Sequence, residues 1–445
     1  MNKRSVLHAV LCLFVVAPAL SLRADEENKS IPDSSYEVGD EMGEEFEEQV
    51  APETSVADIL SSSQLSLKLR NYYLNRSKPQ TLDSYAWAQG GILTHKIGRV
   101  GGYLSMTTEL MGSFPLDAPS DHGGTLLVGK DGNSIVSFGV VNPRLTAQGQ
   151  VLSVYRQRYS LPFVNDQDNR MLPNTFEGYT IGQSAETSER FQYIAGYINK
   201  MKKRDSEDFV PMSDAAGVSQ VDRGMFLGGA RVFVLPSWSI GAINYYVEDI
   251  FNTVYSESVY KFKPVESVEN AFSVQYSNQS SNGKDLLRGE SYSTGFWGVQ
   301  NASSYQGLVF KCAYNRNERS ADIRSPYGSY PGYNSVVVED FNRAGEQSWQ
   351  VGLSYDLAGV GLPGFKFATA FVQGNSAINE STGESLSDRN ETDVTLDYQI
   401  AEGALKGLWV RLRSATIYDD QDGTIQDYRV IVNYDLNILN PAAHS

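Results

Sequence analysis

The chain has 445 residues, a formal charge of −16 at pH 7 and a negative mean hydropathy, yet it carries 26 Tyr, 19 Phe and 5 Trp. Acidity of this size argues against nucleic acid as a partner, since phosphate backbones are gripped by Lys and Arg. Four His and two Cys make no metal cluster of recognisable spacing. After the first 24 residues no stretch approaches the 18 apolar residues of a transmembrane helix.

Residues 1–24 read as a secretory signal, with Lys3 and Arg4 at the basic start and Val6–Ala19 as the apolar core. Cys12 lies in that core, so the mature chain keeps only Cys312 and has no intramolecular disulfide. Residues 25–58 hold thirteen acids against Lys29 alone, a net −12. With +3 in the signal, only −7 is left for residues 59–445. This acidic leader has too little apolar area to offset ordering entropy and reads as disordered.

From Leu65 the pattern alternates with a period of two. Leu65, Leu67 and Leu69 share one face; Ser66, Lys68 and Arg70 share the other. The same alternation sets Val394, Leu396 and Tyr398 against Asp393, Thr395 and Asp397, and Leu408, Val410 and Leu412 against Arg411 and Arg413. It sets Tyr428, Val430, Val432 and Tyr434 against Arg429 and Asn433. Apolar faces suit lipid and charged faces water, because a charge on the lipid face costs about 2–4 kcal/mol at mid-depth. Alternation alone also fits a soluble sandwich; the connections separate the two.

Short links are expected at Pro143–Gly149, Ala185–Glu189, Pro236–Trp238, Pro264–Asn270, Asn301–Tyr305, Leu357–Gly364 and Glu402–Gly407. Long polar stretches fall between them, among them Gly112–Asn133, Ser160–Glu177, Lys202–Gly224 and Arg316–Gln347. Strict alternation of turn and long loop is the outer-membrane barrel pattern. The expectation is an all-β fold over residues 59–439: an 18-stranded antiparallel transmembrane β-barrel, wide enough for an aqueous channel. A short tail, residues 440–445, follows, and the chain does not finish on the aromatic residue common in such barrels.

One loop stands out. Leu161–Gly178, LPFVNDQDNRMLPNTFEG, is polar, has a proline near each end and carries Asp166, Asp168 and Arg170 at its middle. A loop of this length without structure of its own is usually functional, and inside a barrel it can fold inward and narrow the lumen. It resembles the constriction loop of the OprD family of outer-membrane porins, which runs from LPV through a polar segment to SRLLP. Further resemblance lies in LRNYYLNR (Leu69–Arg76), AWAQGGIL (Ala86–Leu93), EDFNRAGEQSWQVGLSYDL (Glu339–Leu357), LPGFKF (Leu362–Phe367) and DYRVIVNYDLNIL (Asp427–Leu439).

Parity points Arg70, Arg411, Arg413 and Arg429 into the lumen. Arg411 and Arg413 are two apart, roughly 7 Å along one strand, and closure brings the last strand beside the first. Guanidinium groups keep their charge and bind carboxylates through paired hydrogen bonds, and a file of such sites passes an anion along without trapping it. The competing reading is that these arginines are wall residues paired with Glu391, Asp393 or Asp397. The resemblance implies a lumenal basic ladder facing acids on the constriction loop. It also places Arg158 just before the loop, although its parity follows the outward Leu152 and Val154, so a bulge is needed to turn it inward. Arg170 matches the arginine before the loop's second Leu-Pro, and with Asp166 and Asp168 it is expected to shape the eyelet; the competing reading is that it braces the loop against the wall by pairing with an acid.

The expected function is a channel in the Gram-negative outer membrane for small carboxylates, amino acids or peptides, as the resemblance implies. Outer-membrane lipid is its surroundings, and neither enzymatic activity nor a cofactor is expected. Alternatives are a pore for neutral oligosaccharides such as chitin fragments, with Tyr72, Tyr73, Tyr155 and Tyr159 as stacking surfaces, and a non-conducting structural or adhesive barrel. The sequence does not distinguish a monomer from a weak homotrimer.

Overall fold

The computed structural model describes residues 63–183, 190–403, 405–421 and 423–439. The signal, the acidic leader and the tail lie outside the described residues. Eighteen antiparallel strands close into a barrel: β1 Gln64–Ser77, β2 Ser84–Val100, β3 Leu104–Asp117, β4 Ile135–Ala147, β5 Gln150–Gln157, β6 Thr175–Gln183, β7 Phe191–Lys202, β8 Met225–Leu235, β9 Trp238–Val247, β10 Phe251–Val265, β11 Val268–Ser281, β12 Ser293–Tyr305, β13 Leu308–Asn317, β14 Gln347–Asp356, β15 Phe365–Asn375, β16 Arg389–Gln399, β17 Trp409–Asp419 and β18 Gly423–Leu439. Each pairs with its sequence neighbours, and β1 also pairs with β18 from Leu65–Leu439 to Ser77–Gln426. Closure leaves no edge, so every strand finds backbone partners without water, as lipid demands.

The two-residue period sorts the side chains. Outward positions stay exposed on the isolated chain and are apolar or aromatic, for instance Leu69, Trp87, Phe138, Phe226, Val394 and Tyr428. Many inward positions of the far wall are uncharged and polar, with Gln275, Ser277, Gln279, Asn315 and Gln350 all buried.

The connections follow the expected alternation with exceptions. Links of 101–103, 148–149, 236–237, 266–267 and 306–307 lie at one end; the long segments 118–134, 158–174, 203–224 and 318–346 lie at the other. Three links at that second end are short as well: 78–83, 248–250 and 420–422. Alternation is therefore not strict. Several turns are also tighter than expected, because Gln148 and Gly149 (φ 50° and 74°) and Gln306 and Gly307 (φ 47° and 80°) are both left-handed pairs. Such pairs reverse a strand in two residues. Pro143 and residues 301–305 consequently lie inside strands, as do Gly112 and Pro264.

Candidate constriction site

After β5 the chain leaves the wall, and residues 158–174 cross the lumen. The crossing is fastened at two hydrophobic clusters. At its far tip Ser160–Leu161 pairs with Val164–Asn165 in a minimal hairpin, turning on Pro162 and Phe163. Phe163 has φ 64°, a conformation a bulky side chain rarely adopts. The ring is what holds it there: it is 4% exposed and packs against Tyr255, Phe296 and Tyr330 with centroids 6.3, 6.5 and 6.4 Å away. The Asn165 amide donates to Tyr327 O (3.3 Å), and its side-chain oxygen accepts from the Ser329 amide (3.0 Å), joining this loop to 318–346. Gly328 permits that approach, since a Cβ there would stand 2.7 Å from the Asn165 amide nitrogen. At the other end Met171 and Leu172 are buried with Tyr72, Leu74, Met111, Leu127 and Ile431.

Between these anchors the acids of the loop meet bases of the wall. Asp168 accepts from Arg70 Nη1 at 2.7 Å, with Lys68 Nζ at 3.7 Å and Arg158 at 3.9 Å. Burial would raise the Asp168 carboxyl, but the charges of Arg70, Lys68 and Arg158 prevail and hold it at about 2. Arg158 donates to Glu109 at 2.8 and 3.0 Å and to Asp166 at 3.4 Å. Burial opposes its charge, and Glu109, Asp168 and Asp166 together raise its pKa.

Arg158 thus faces inward. No extra residue is inserted to turn it: β5 ends at Gln157 after Tyr155 adopts a left-handed φ of 73°, so strand parity no longer governs the residues beyond. Arg170 departs from the competing reading, in which it pairs with an acid. Its Nε donates to the Thr125 carbonyl (3.0 Å), and no carboxylate lies within ion-pair distance among the described residues. Burial, and then the nearby Arg429, depress it to about 9. It braces the loop through backbone: its carbonyl accepts from Arg70 while its side chain holds segment 118–134.

The wall that continues from β1 is built by β18, β17 and β16. Arg411 is clasped by Asp397 through two hydrogen bonds of 2.7 and 2.8 Å and lies 4.6 Å above the Trp409 ring. Arg429 is held by Asp427 and donates to Val337 O (3.0 Å), which brings the tip of loop 318–346 into the lumen. Arg413 is directly opposite Arg429 across the ladder. It donates to Thr395 Oγ1 (3.1 Å) and has no carboxylate within ion-pair distance among the described residues. Arg70, Arg413 and Arg429 are all buried beneath the two inward loops, whereas Arg411 and Arg158 keep part of their surface.

Sequence reasoning placed Lys68 inward but not at the site, and it missed Glu109, Arg76 on Asp427 (2.8 Å) and the Phe163 anchor. Parity would have found Glu109, which alternates with Met111 and Ser113. None of the four tyrosines offered for stacking lines an open passage. Tyr72 is buried under the loop, Tyr159 is a buried residue of the loop itself, and Tyr73 and Tyr155 lie on the outer face.

A closed barrel of eighteen strands, lipid-facing outside, with a loop folded across its lumen and charges of both signs at the narrowing, defines an outer-membrane porin. The sequence matches the outer membrane porin, OprD family, over residues 57–438, and the chain belongs to that family. It is 26% identical over 429 residues to Porin D of Pseudomonas aeruginosa, covering 88% of this chain and 94% of that one. Among solved structures, OccK9 (OpdG) of P. aeruginosa superposes with a TM-score of 0.77 at 24% identity over 85% of this chain and all of its own. OpdK of the same organism, solved with vanillate, superposes with a TM-score of 0.73 at 22% identity over 84% and 98%. The protein is a Gram-negative outer-membrane channel, and the relatives it matches are porins rather than enzymes.

Proposed function

We propose that the channel passes small anionic solutes, carboxylates above all, into the periplasm by diffusion along the β16–β18 wall. One observation carries the reading: Arg413 and Arg429 stand directly opposite each other on neighbouring strands. Like charges in that position destabilise a sheet, so a fold that keeps them has a use for concentrated positive potential. Asp427 offsets Arg429, while Arg413 has only a hydroxyl partner among its hydrogen bonds. Arg411 lies two residues further along the same strand and retains exposed surface, giving an anion a next partner.

The test replaces Arg411 and Arg413 with glutamine. A unit charge acting over about 4 Å is worth about 1–4 kcal/mol between bulk and near-surface dielectric, and 1.4 kcal/mol is a tenfold change in occupancy. Carboxylate flux in proteoliposomes should fall about tenfold or more, while flux of neutral sugars of similar size stays level. Vanillate, present in the OpdK structure, is a suitable first solute. Unchanged carboxylate flux in a folded double variant would reduce the arginines to wall and move the neutral-solute reading to first place.

A further inference from the structure

Gln64 opens β1 at the end of the barrel where links 101–103, 148–149 and 236–237 lie, the periplasmic end in an outer-membrane porin. There it stands directly opposite Lys96 on β2. Lys96 in turn is opposite Thr107 on β3, and two residues nearer the turn Ser105 is opposite Arg144 on β4. Parity turns both bases into the lumen: Lys96 follows the buried Ala88 and Ile92, and Arg144 follows Val140 and Asn142. Arg144 Nε donates to Asn142 Oδ1 at 2.7 Å on that same face. Lys68 completes the sector two residues below Arg70, with Asp435 across the ladder on β18. Among the described residues of β1–β4, the one acid on this face at or below the constriction is Glu109, and Arg158 holds it.

The chain that precedes β1 enters beside this sector. Residues 25–58 carry thirteen acids against Lys29 alone, and six of them, Asp40, Glu41, Glu44, Glu45, Glu47 and Glu48, fall within nine residues. Glu48 is sixteen residues ahead of Gln64. A polar linker of that length spans roughly 20–24 Å. Lys96 and Arg144 lie one and three strand spacings, about 5 and 14 Å, from Gln64, so the acidic run reaches both. Tethering holds such a segment at a millimolar effective concentration. A water-filled lumen with low-dielectric walls focuses the field of its bases, and a polyanion is the occupant that field selects.

We propose that the acidic run Asp40–Glu48 docks on Lys68, Lys96 and Arg144 from the periplasmic side and acts as a tethered competing anion. It occupies the bases that a solute anion meets after the constriction and offsets their charge. Anion passage is therefore held down at low ionic strength and released as salt screens the contact. The leader also gives the channel a polarity, because a potential that makes the periplasmic side negative drives the run into the lumen and the reverse potential withdraws it.

The test keeps the chain whole and turns the six acids into amides: Asp40→Asn, Glu41→Gln, Glu44→Gln, Glu45→Gln, Glu47→Gln and Glu48→Gln. In planar bilayers at 0.1 M KCl this variant should conduct about twofold better than wild type, and at 1 M KCl the two should coincide, since the screening length falls from about 10 Å to about 3 Å. Its reversal potential should shift towards anions, and the voltage asymmetry should vanish. Lys96→Gln with Arg144→Gln separates docking from repulsion at a distance: in that background the six amides should change conductance little. A peptide of residues 36–53 added to the amide variant should restore the lower conductance from the periplasmic side only. An amide variant that conducts like wild type at 0.1 M KCl overturns the proposal. So does an undiminished effect of the amides without Lys96 and Arg144, and so does equal block by the peptide from both sides. These readings use chloride, so failure of the carboxylate reading, seen as carboxylate flux insensitive to loss of Arg411 and Arg413, leaves them unaffected.

Discussion

Phe163 is the point at which the constriction loop is most open to perturbation. Phe163→Ala removes a ring that is 4% exposed and contacts three aromatic partners, while alanine still bears the unfavourable φ of 64°. Truncating a buried phenylalanine costs about 3–5 kcal/mol, a factor of about 10² to 10³ or more in the equilibrium between docked and released tip. The remaining ties are a two-residue ladder, the side chain of Val164 and the Asn165 contacts to 327 and 329. Each such hydrogen bond contributes about 0.5–1.5 kcal/mol net, too little to offset the lost ring. The tip should detach for a measurable share of the time while the wall, which does not use Phe163 in its ladders, stays closed. Single-channel recording in planar bilayers should show larger mean conductance with rapid switching between levels, and heat-modifiable migration should be that of wild type. A variant with wild-type conductance and quiet traces would refute the claim that this ring holds the loop across the lumen.

The loop's middle gives two further expected outcomes. Asp168→Asn leaves the charge of Arg70 and Lys68 without its carboxylate, so reversal potentials should shift towards anions and carboxylate flux should rise, by about twofold or more for a charge screened to roughly 0.5–1 kcal/mol. The pH dependence has a definite sign: Asp168 is held at about 2 against an ordinary 3.8, so its stabilising contribution is present above about 3.8 and is lost as pH falls towards about 2. Conductance should be level from pH 7 to about 4 and grow noisier only below that range, which bilayer recording in acidic buffers checks directly.

The features legible in the sequence are those that strand periodicity controls. The inward set Arg70, Arg411, Arg413 and Arg429 needed only parity and closure, because a barrel wall has a two-residue period and one way to join its ends. Reading failed where periodicity ends. Arg158 lies one residue beyond β5, after a left-handed Tyr155 that no propensity announces. The competing reading paired Arg170 with an acid, but its partner is a backbone carbonyl on another loop, which has no signature in side-chain composition. Phe163 looked like one more apolar residue in a polar stretch. Its role depends on aromatic partners 92 to 167 positions away, contacts made only once the barrel has closed. The inward tip of loop 318–346 is of the same kind, since Val337, Val338 and Glu339 dock by backbone amides onto Asp393 and Glu391.

On the proposed carboxylate pathway, the pairing of the wall is compatible with arginines held by acids guiding anions. Arg411 and Asp397 form a two-bonded pair, nearly neutral at a distance and close to break-even in free energy because desolvation opposes attraction. An arriving carboxylate need not overcome that bond. The guanidinium carries five donors, two of them engaged by Asp397, and its partial exposure leaves the others available. Asp397 then serves to fix the plane of the guanidinium, and it weakens the hold on the anion enough for the anion to move on. Arg413 acts differently, since its charge is not offset at contact range. On that proposal the two arginines would supply the two properties a conducting file requires, attraction at Arg413 and easy release at Arg411. Removing Arg411 also exposes the charge of Asp397 to the passage, so its loss repels anions as well as ceasing to attract them.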